Sequence, residues 1–165
     1  MKGVGKFGEV MAGEKGPVSY DQVALRLEKI IRSGSQRRAI LDFVCRDLRK
    51  VPHYTWVGIY LVEGSDLVLA AWSGPSATQH TRIPIGTGIC GAAAEAKETI
   101  VVPDVRSDPR YLQCFLNARS EIVVPIMKDG AAIGEIDIDS DREDAFTTTD
   151  QAFVESVAEE LTSIF

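Results

Sequence analysis

Cysteine is scarce: Cys45, Cys90 and Cys114 are the only three in 165 residues. An odd set cannot pair completely within one chain and is too small for a secreted disulfide framework, so free thiols are expected. Histidine is scarcer still, with His53 and His80 alone. Neither CxxC nor HxxxH spacing occurs, and the third histidine or clustered thiolates of a typical zinc site are missing, so no bound metal is expected. A GxSxG elbow, which a Ser–His–Asp hydrolase would need, is absent. Long apolar runs are missing too. Stretches such as Leu67–Trp72 and Ile122–Met127 fall short of the roughly 18 residues of a membrane helix. Residues 1–30 show no apolar signal region behind a basic start, and Lys2 stands where myristoylation needs glycine. Positive charge is short as well: 18 Lys plus Arg against 24 Asp plus Glu leave a net charge of −6, the wrong sign for a phosphate-backbone binder. Neither a nucleic acid nor a membrane is expected as partner, and a cytoplasmic location is.

What is present suits one folded unit. Hydrophobic residues make up 45% and charged residues 25% of the chain, an ordinary globular balance. Residues 1–18 carry Gly3, Gly5, Gly8, Gly13 and Gly16 without hydrophobic periodicity, which predicts a flexible arm ahead of a single domain over residues 19–165. Ser19 with Gln22 reads as a capping box for a helix running to Ser33–Gly34, and a second helix is expected from about Gln36 to Lys50. Cys45 lies beside the apolar stripe of that second helix, where packing is its plain use.

Tyr54–Val62 and Leu67–Trp72 flank Gly64-Ser65-Asp66, and Ser120–Lys128 and Ala131–Asp139 flank Asp129-Gly130; both read as hairpins. Shorter strands are expected at Arg82–Ile85 and Thr99–Val102, with a helix from about Gly88 to Lys97 between them. A last helix is expected with Thr148 at its N-cap and Gln151 at N3. Hairpins outnumber βαβ units, so the class is α+β with one largely antiparallel sheet. Terminal helices would cover one face, leaving the other for a pocket roofed by the connection from Ser73 to Gln113.

Two glycine strings imitate nucleotide loops. Gly3–Val10 matches a kinase glycine loop in letters, but no strand precedes it and no HRD or DFG follows. Gly86-Thr87-Gly88-Ile89-Cys90-Gly91 follows a strand and opens a helix, yet Asp104 comes too soon for the acid of a dinucleotide site. A tight helix entry is the alternative, with free N–H groups able to bind a carboxylate or lower the pKa of Cys90.

Chemistry collects elsewhere. In Glu135-Ile136-Asp137-Ile138-Asp139 the strand period puts three carboxylates on one face and two isoleucines on the other. A solvated sheet face is the ordinary reading of such a run. Against it, Trp56, Gly58 and Tyr60 also share a strand face, and an aromatic wall beside carboxylates suits a small cation with an apolar part. Glu121 opens another hydrophobic strand soon after Cys114. A lone cysteine is usually inert, but Cys114 sits in an expected loop, where a thiol can be reached.

Tyr54–Leu61, Ile83–Gly91, Ser120–Pro125 and Gly134–Ser140 together resemble a GAF domain of the free methionine-R-sulfoxide reductase type, over about Arg37 to Phe165. The resemblance implies the GAF fold and thiol-dependent reduction of free L-methionine-(R)-S-oxide. It assigns Cys114 the nucleophile's place, Trp56 and Tyr60 the methyl-thioether end, Asp137 and Asp139 the ammonium, and Glu121 the sulfoxide. The product on Cys114 would be a sulfenic acid that a second thiol closes to a disulfide. No cofactor is implied beyond reducing equivalents from thioredoxin or another thiol, and a homodimer is expected. Family members commonly carry a further cysteine just before the Arg-Ile-Pro segment, where this chain has His80. Cys90 could then resolve Cys114 if the loop brings their Cα atoms within about 7 Å; otherwise an external thiol must regenerate the enzyme directly, or the pocket merely binds. The competing reading is a sensory or regulatory GAF module that binds a small ligand without chemistry.

Overall fold

In the computed structural model, which describes residues 18–165, Ser19 caps α1 (Tyr20–Arg32) with a complete capping box. Its hydroxyl accepts from the Gln22 N–H, and the Gln22 side chain accepts from the Ser19 N–H. The glycine-rich arm and the kinase-like string, apart from Val18, lie outside the described residues. Helix α2 (Arg37–Leu48) buries Ile40, Leu41, Val44, Cys45 and Leu48. Its buried Asp47 is paired, accepting from Arg26 at 2.8 Å and Lys50 at 2.7 Å.

The strands are β1 (Trp56–Glu63), β2 (Asp66–Ser73), β3 (Arg82–Pro84), β4 (Ile100–Val102), β5 (Ser120–Lys128) and β6 (Ala131–Ser140). Helix α3 (Gly88–Ala96) separates β3 from β4, and α4 (Thr148–Leu161) follows β6. The six strands form one sheet in the order β3-β2-β1-β6-β5-β4, antiparallel at every neighbouring pair. Asp129 and Gly130 both take positive φ, 50° and 76°, as the two-residue turn joining β5 to β6 requires.

Strand alternation divides the interior. On one face Val57, Ile59, Ile122, Val124, Ile136 and Ile138 pack against α1, α2 and α4. Ile136 and Ile138 are fully buried, each contributing about 1.5–3 kcal/mol of transfer free energy. The opposite face carries Trp56, Tyr60 and Val123, covered by Ile89, Cys90 and Ala93 of α3 and by Val105. A second interior therefore exists under the long connection, and the carboxylates point into it.

One boundary differs from the sequence expectation. Helix α4 is capped by Thr147 with Asp150 at N3, not by Thr148 with Gln151. Asp150 decides the register because it also accepts from Tyr20 Oη at 2.6 Å and Tyr54 Oη at 2.9 Å. Gln151 reaches Glu155 instead.

Candidate active site

Strand register builds the site in rows. Trp56 on β1 stands opposite Asp139 on β6, and Asp139 opposite Glu121 on β5. The next row holds Gly58, Asp137 and Val123, and the third Tyr60, Glu135 and Pro125. Directly opposed residues have Cβ atoms about 4.5–5.5 Å apart, so aromatics and acids are interleaved across three central strands. Burial settles the reading of the acidic run: Glu121, Glu135, Asp137 and Asp139 are exposed by only 5%, 0%, 2% and 3%. This is an interior acidic cluster and not a solvated face.

The aromatics are fixed from several sides. Trp56 donates through Nε1 to the Ser76 carbonyl at 3.2 Å, stacks beside Trp72 and meets the Phe115 ring at 5.3 Å. Tyr60 donates to the His80 carbonyl at 2.8 Å, and the His80 Nε2 lies 3.4 Å from the Gln113 carbonyl. These contacts bind the loops over the sheet to β1 and to each other.

Both thiols border the acids. Cys90 Sγ lies 4.0 Å from Glu121 Oε1 in the buried interior. Cys114 is only partly buried and donates to the Leu112 carbonyl at 3.2 Å. Trp56, Cys114, Phe115 and Asp139 share the wall of a cavity of about 410 Å³, within the usual size range of small-molecule sites. Tyr60, Cys90, Glu121 and Asp137 are not on that wall; all four are buried. A wider groove of about 700 Å³ runs past Tyr20, His53, Arg142 and Asp150, but none of its lining residues is a cysteine, whereas the smaller cavity carries Cys114 on its wall.

Crowded dry carboxylates cannot all be charged. Burial, reinforced by Asp137 and Asp139, pushes Glu121 well up. Burial brings Asp137 up to about 7, against the opposing effect of Cys90 and Glu121 as donors. Asp139 is raised by burial and by Asp137, and Glu135 by burial. Cys90 is raised by burial and then by Asp137, Glu135 and Glu121, so the helix entry does not lower it as the sequence allowed. Cys114 is raised by burial, then by Asp137, Asp139 and Glu121. Burial and mutual repulsion thus favour the protonated, neutral forms of these groups.

A sequence model of the family described as "GAF domain" matches residues 36–164. The chain belongs to the GAF domain family. It is similar to "GAF domain-containing protein A" of Dictyostelium discoideum, 35% identical over 150 residues covering 90% of this chain and 93% of that protein. It is 41% identical over 107 residues to "Free methionine-R-sulfoxide reductase" of Saccharomyces cerevisiae, covering 62% of this chain and 58% of the yeast protein. Among solved structures, that of free methionine-R-sulfoxide reductase from Neisseria meningitidis in complex with its substrate superimposes with a TM-score of 0.83. It is 37% identical, covering 88% of this chain and 87% of that one.

In this GAF domain the glycine string before α3 serves packing. Gly86 N–H donates to the Gly91 carbonyl at 2.8 Å, so this backbone donor is already used inside the chain. Sequence reasoning singled out seven site residues and passed over four neighbours. Glu135 has neither carboxylate oxygen satisfied, and the buried Tyr111 Oη also lacks a partner. Thr78 eases Cys114 toward its charged form, and Phe115 braces Trp56. Only Glu135 had a legible signal, the period it shares with Asp137 and Asp139.

Proposed function

We propose that this GAF domain reduces free L-methionine-(R)-S-oxide to L-methionine, with Cys114 as nucleophile. The reading is carried by one observation: Cys114 shares a cavity wall with Trp56 and Asp139, next to the Glu121–Asp139–Trp56 row. Its similarity to the free methionine-R-sulfoxide reductases of yeast and Neisseria supports it.

Once the loop bearing Cys114 and Phe115 lifts and extends the cavity onto the buried row, the substrate's ammonium enters between Asp137 and Asp139, its methyl-thioether end rests against Trp56 and Tyr60, and its sulfoxide oxygen meets protonated Glu121. Burial, and after it the carboxylate field, holds the thiols neutral; an ammonium among the carboxylates offsets that field, so binding itself favours the Cys114 thiolate. Sulfur of Cys114 attacks the sulfoxide sulfur. The sulfoxide S–O bond breaks and its oxygen passes to Cys114, giving a sulfenic acid and free methionine; Glu121 donates the proton that the thiol's departing proton replaces. Cys90 then attacks the sulfenic sulfur, water leaves, and a disulfide forms. Thioredoxin or another dithiol reduces it by exchange at the more accessible Cys114. No prosthetic group enters these steps.

The high resting position of both thiols favours a second reading, a module that binds the same guest without turnover. Incubation with dithiothreitol and each methionine sulfoxide epimer, followed by measurement of methionine, separates the two. Wild type should consume the R epimer and Cys114→Ser should not; consumption of neither epimer by wild type would favour the binding module. Cys90→Ser should retain the first turnover and lose recycling by thioredoxin. Peptide-bound sulfoxide should react poorly, since its amide nitrogen brings no charge to the aspartates.

A further inference from the structure

We infer that Cys90, Glu121 and Asp137 form a site for a borderline-soft divalent cation of the zinc(II) type, within the acidic hollow. The sulfur and one oxygen from each carboxylate all lie within 4.8 Å of one another. Tetrahedral ligands at about 2.0–2.3 Å from zinc stand roughly 3.3–3.8 Å apart, so closing on an ion asks for about 1 Å of side-chain movement. Residue spacing carries no sign of this set and implies no metal, because the donors come from α3, β5 and β6.

A second observation points to a ligand independently of that proximity. Cys90, Glu121 and Asp137 are exposed by 6%, 5% and 2%. Within their hollow Glu121 Oε2, Asp137 Oδ1 and both oxygens of Glu135 are buried without any hydrogen-bond partner. Unpartnered buried carboxylate oxygens are costly, and a cation coordinated by them removes the deficit. The sulfur donor selects the class: magnesium and calcium prefer all-oxygen shells, whereas thiolate with carboxylates suits zinc and cobalt. Glu135 lies outside the set of donors within 4.8 Å of one another and borders the site as a neighbour of Cys90. The site stands on donor geometry and the unpartnered oxygens. Its consequence, that the ion excludes methionine sulfoxide from Asp137 and Glu121, rests on the proposed reductase reading.

Cobalt(II) titration of the reduced, chelator-treated full chain tests the inference. Wild type, Cys45→Ser and Cys114→Ser should develop a thiolate-to-cobalt charge-transfer absorption that zinc(II) displaces, and Cys90→Ser should not. Glu121→Gln and Asp137→Asn keep the thiol and the side-chain volume, and should weaken cobalt binding about tenfold or more. No thiolate band in wild type, or a band that follows Cys114 instead of Cys90, overturns the site; so does unchanged affinity in both carboxylate variants. Free methionine-(R)-S-oxide should raise the apparent dissociation constant for cobalt. A Cys90-dependent band without that competition upholds the metal site and counts against the substrate reading alone.

Discussion

The indole of Trp56 lies so close over Gly58 that a Cβ built there would stand 2.3 Å from ring atom Cη2. Gly74 receives another edge of the ring, where a Cβ would stand 2.2 Å from Cδ1. The glycine opposite Asp137 is therefore the seat of the aromatic wall, and the space between Trp56 and Tyr60 is filled by the ring itself. Gly58→Ala should push the indole toward the cavity at a cost of about 1–3 kcal/mol. Steady-state kinetics should show a raised KM for free methionine sulfoxide with kcat less affected, and tryptophan fluorescence should shift. An unchanged KM would mean that the ring does not touch the guest.

Gly91 answers to backbone. A Cβ there would stand 2.6 Å from the Pro84 carbonyl oxygen and 2.9 Å from the Gly86 nitrogen, neither of which can rotate away. Gly91→Ala should cost about 3 kcal/mol of folding stability, read as a lower urea midpoint. It should act through the seating of α3, so adding ATP or NAD should rescue neither variant nor wild type. Stabilisation by either nucleotide would revive the phosphate reading of this string.

Element type was legible because local patterns and global packing agree over most of the chain: alternation marked the two long hairpins, and the Ser19–Gln22 box marked α1. The exceptions share a cause. Thr147 and Thr148 each precede a polar residue three positions on, and what chooses between them is Asp150 reaching Tyr20 and Tyr54, distant in sequence. The period of Glu135, Asp137 and Asp139 predicts a common face but is silent on what covers it. Coverage comes from α3 and the loop bearing Tyr111 and Phe115. For the same reason the contact of Cys90 with Glu121 and Asp137 has no signature in spacing.

Asp150 links α4 to β1's entry and to α1, and its ionisation should govern acid stability. Burial alone would raise its pKa, but donors from Thr147, Tyr20 and Tyr54 outweigh that and hold it below the usual carboxylate range. The unfolded value is about 3.9. A folded value below it means that the stabilisation is fully present above about pH 4 and is lost as pH falls through the folded value. Asp150→Asn should destabilise the domain by about 1.5–3 kcal/mol at neutral pH, the worth of hydrogen bonds to a charged group. The gap between the two melting temperatures should narrow as pH drops from 7 to 3. A gap of constant size would show that the charge of Asp150 contributes nothing.

His80 occupies the loop position where the resemblance leads one to expect a further thiol, and the contacts around it tell what that thiol would do. Its ring nitrogen lies 3.4 Å from the carbonyl of Gln113, the residue before Cys114, and its own carbonyl is held by Tyr60. His80→Cys therefore puts a thiol on a tethered loop beside the proposed nucleophile, more accessible than Cys90, which is buried against Glu121. A tethered thiol acts at a millimolar or higher effective concentration, so turnover at micromolar thioredoxin should rise about tenfold or more. Peptide mapping after one turnover without reductant should locate the disulfide between position 80 and Cys114. The added Cys90→Ser change should then be tolerated, although it blocks recycling in the parent. A disulfide that still joins Cys90 to Cys114 in His80→Cys would mean that the nucleophile swings inward after oxidation, away from the loop that carries position 80.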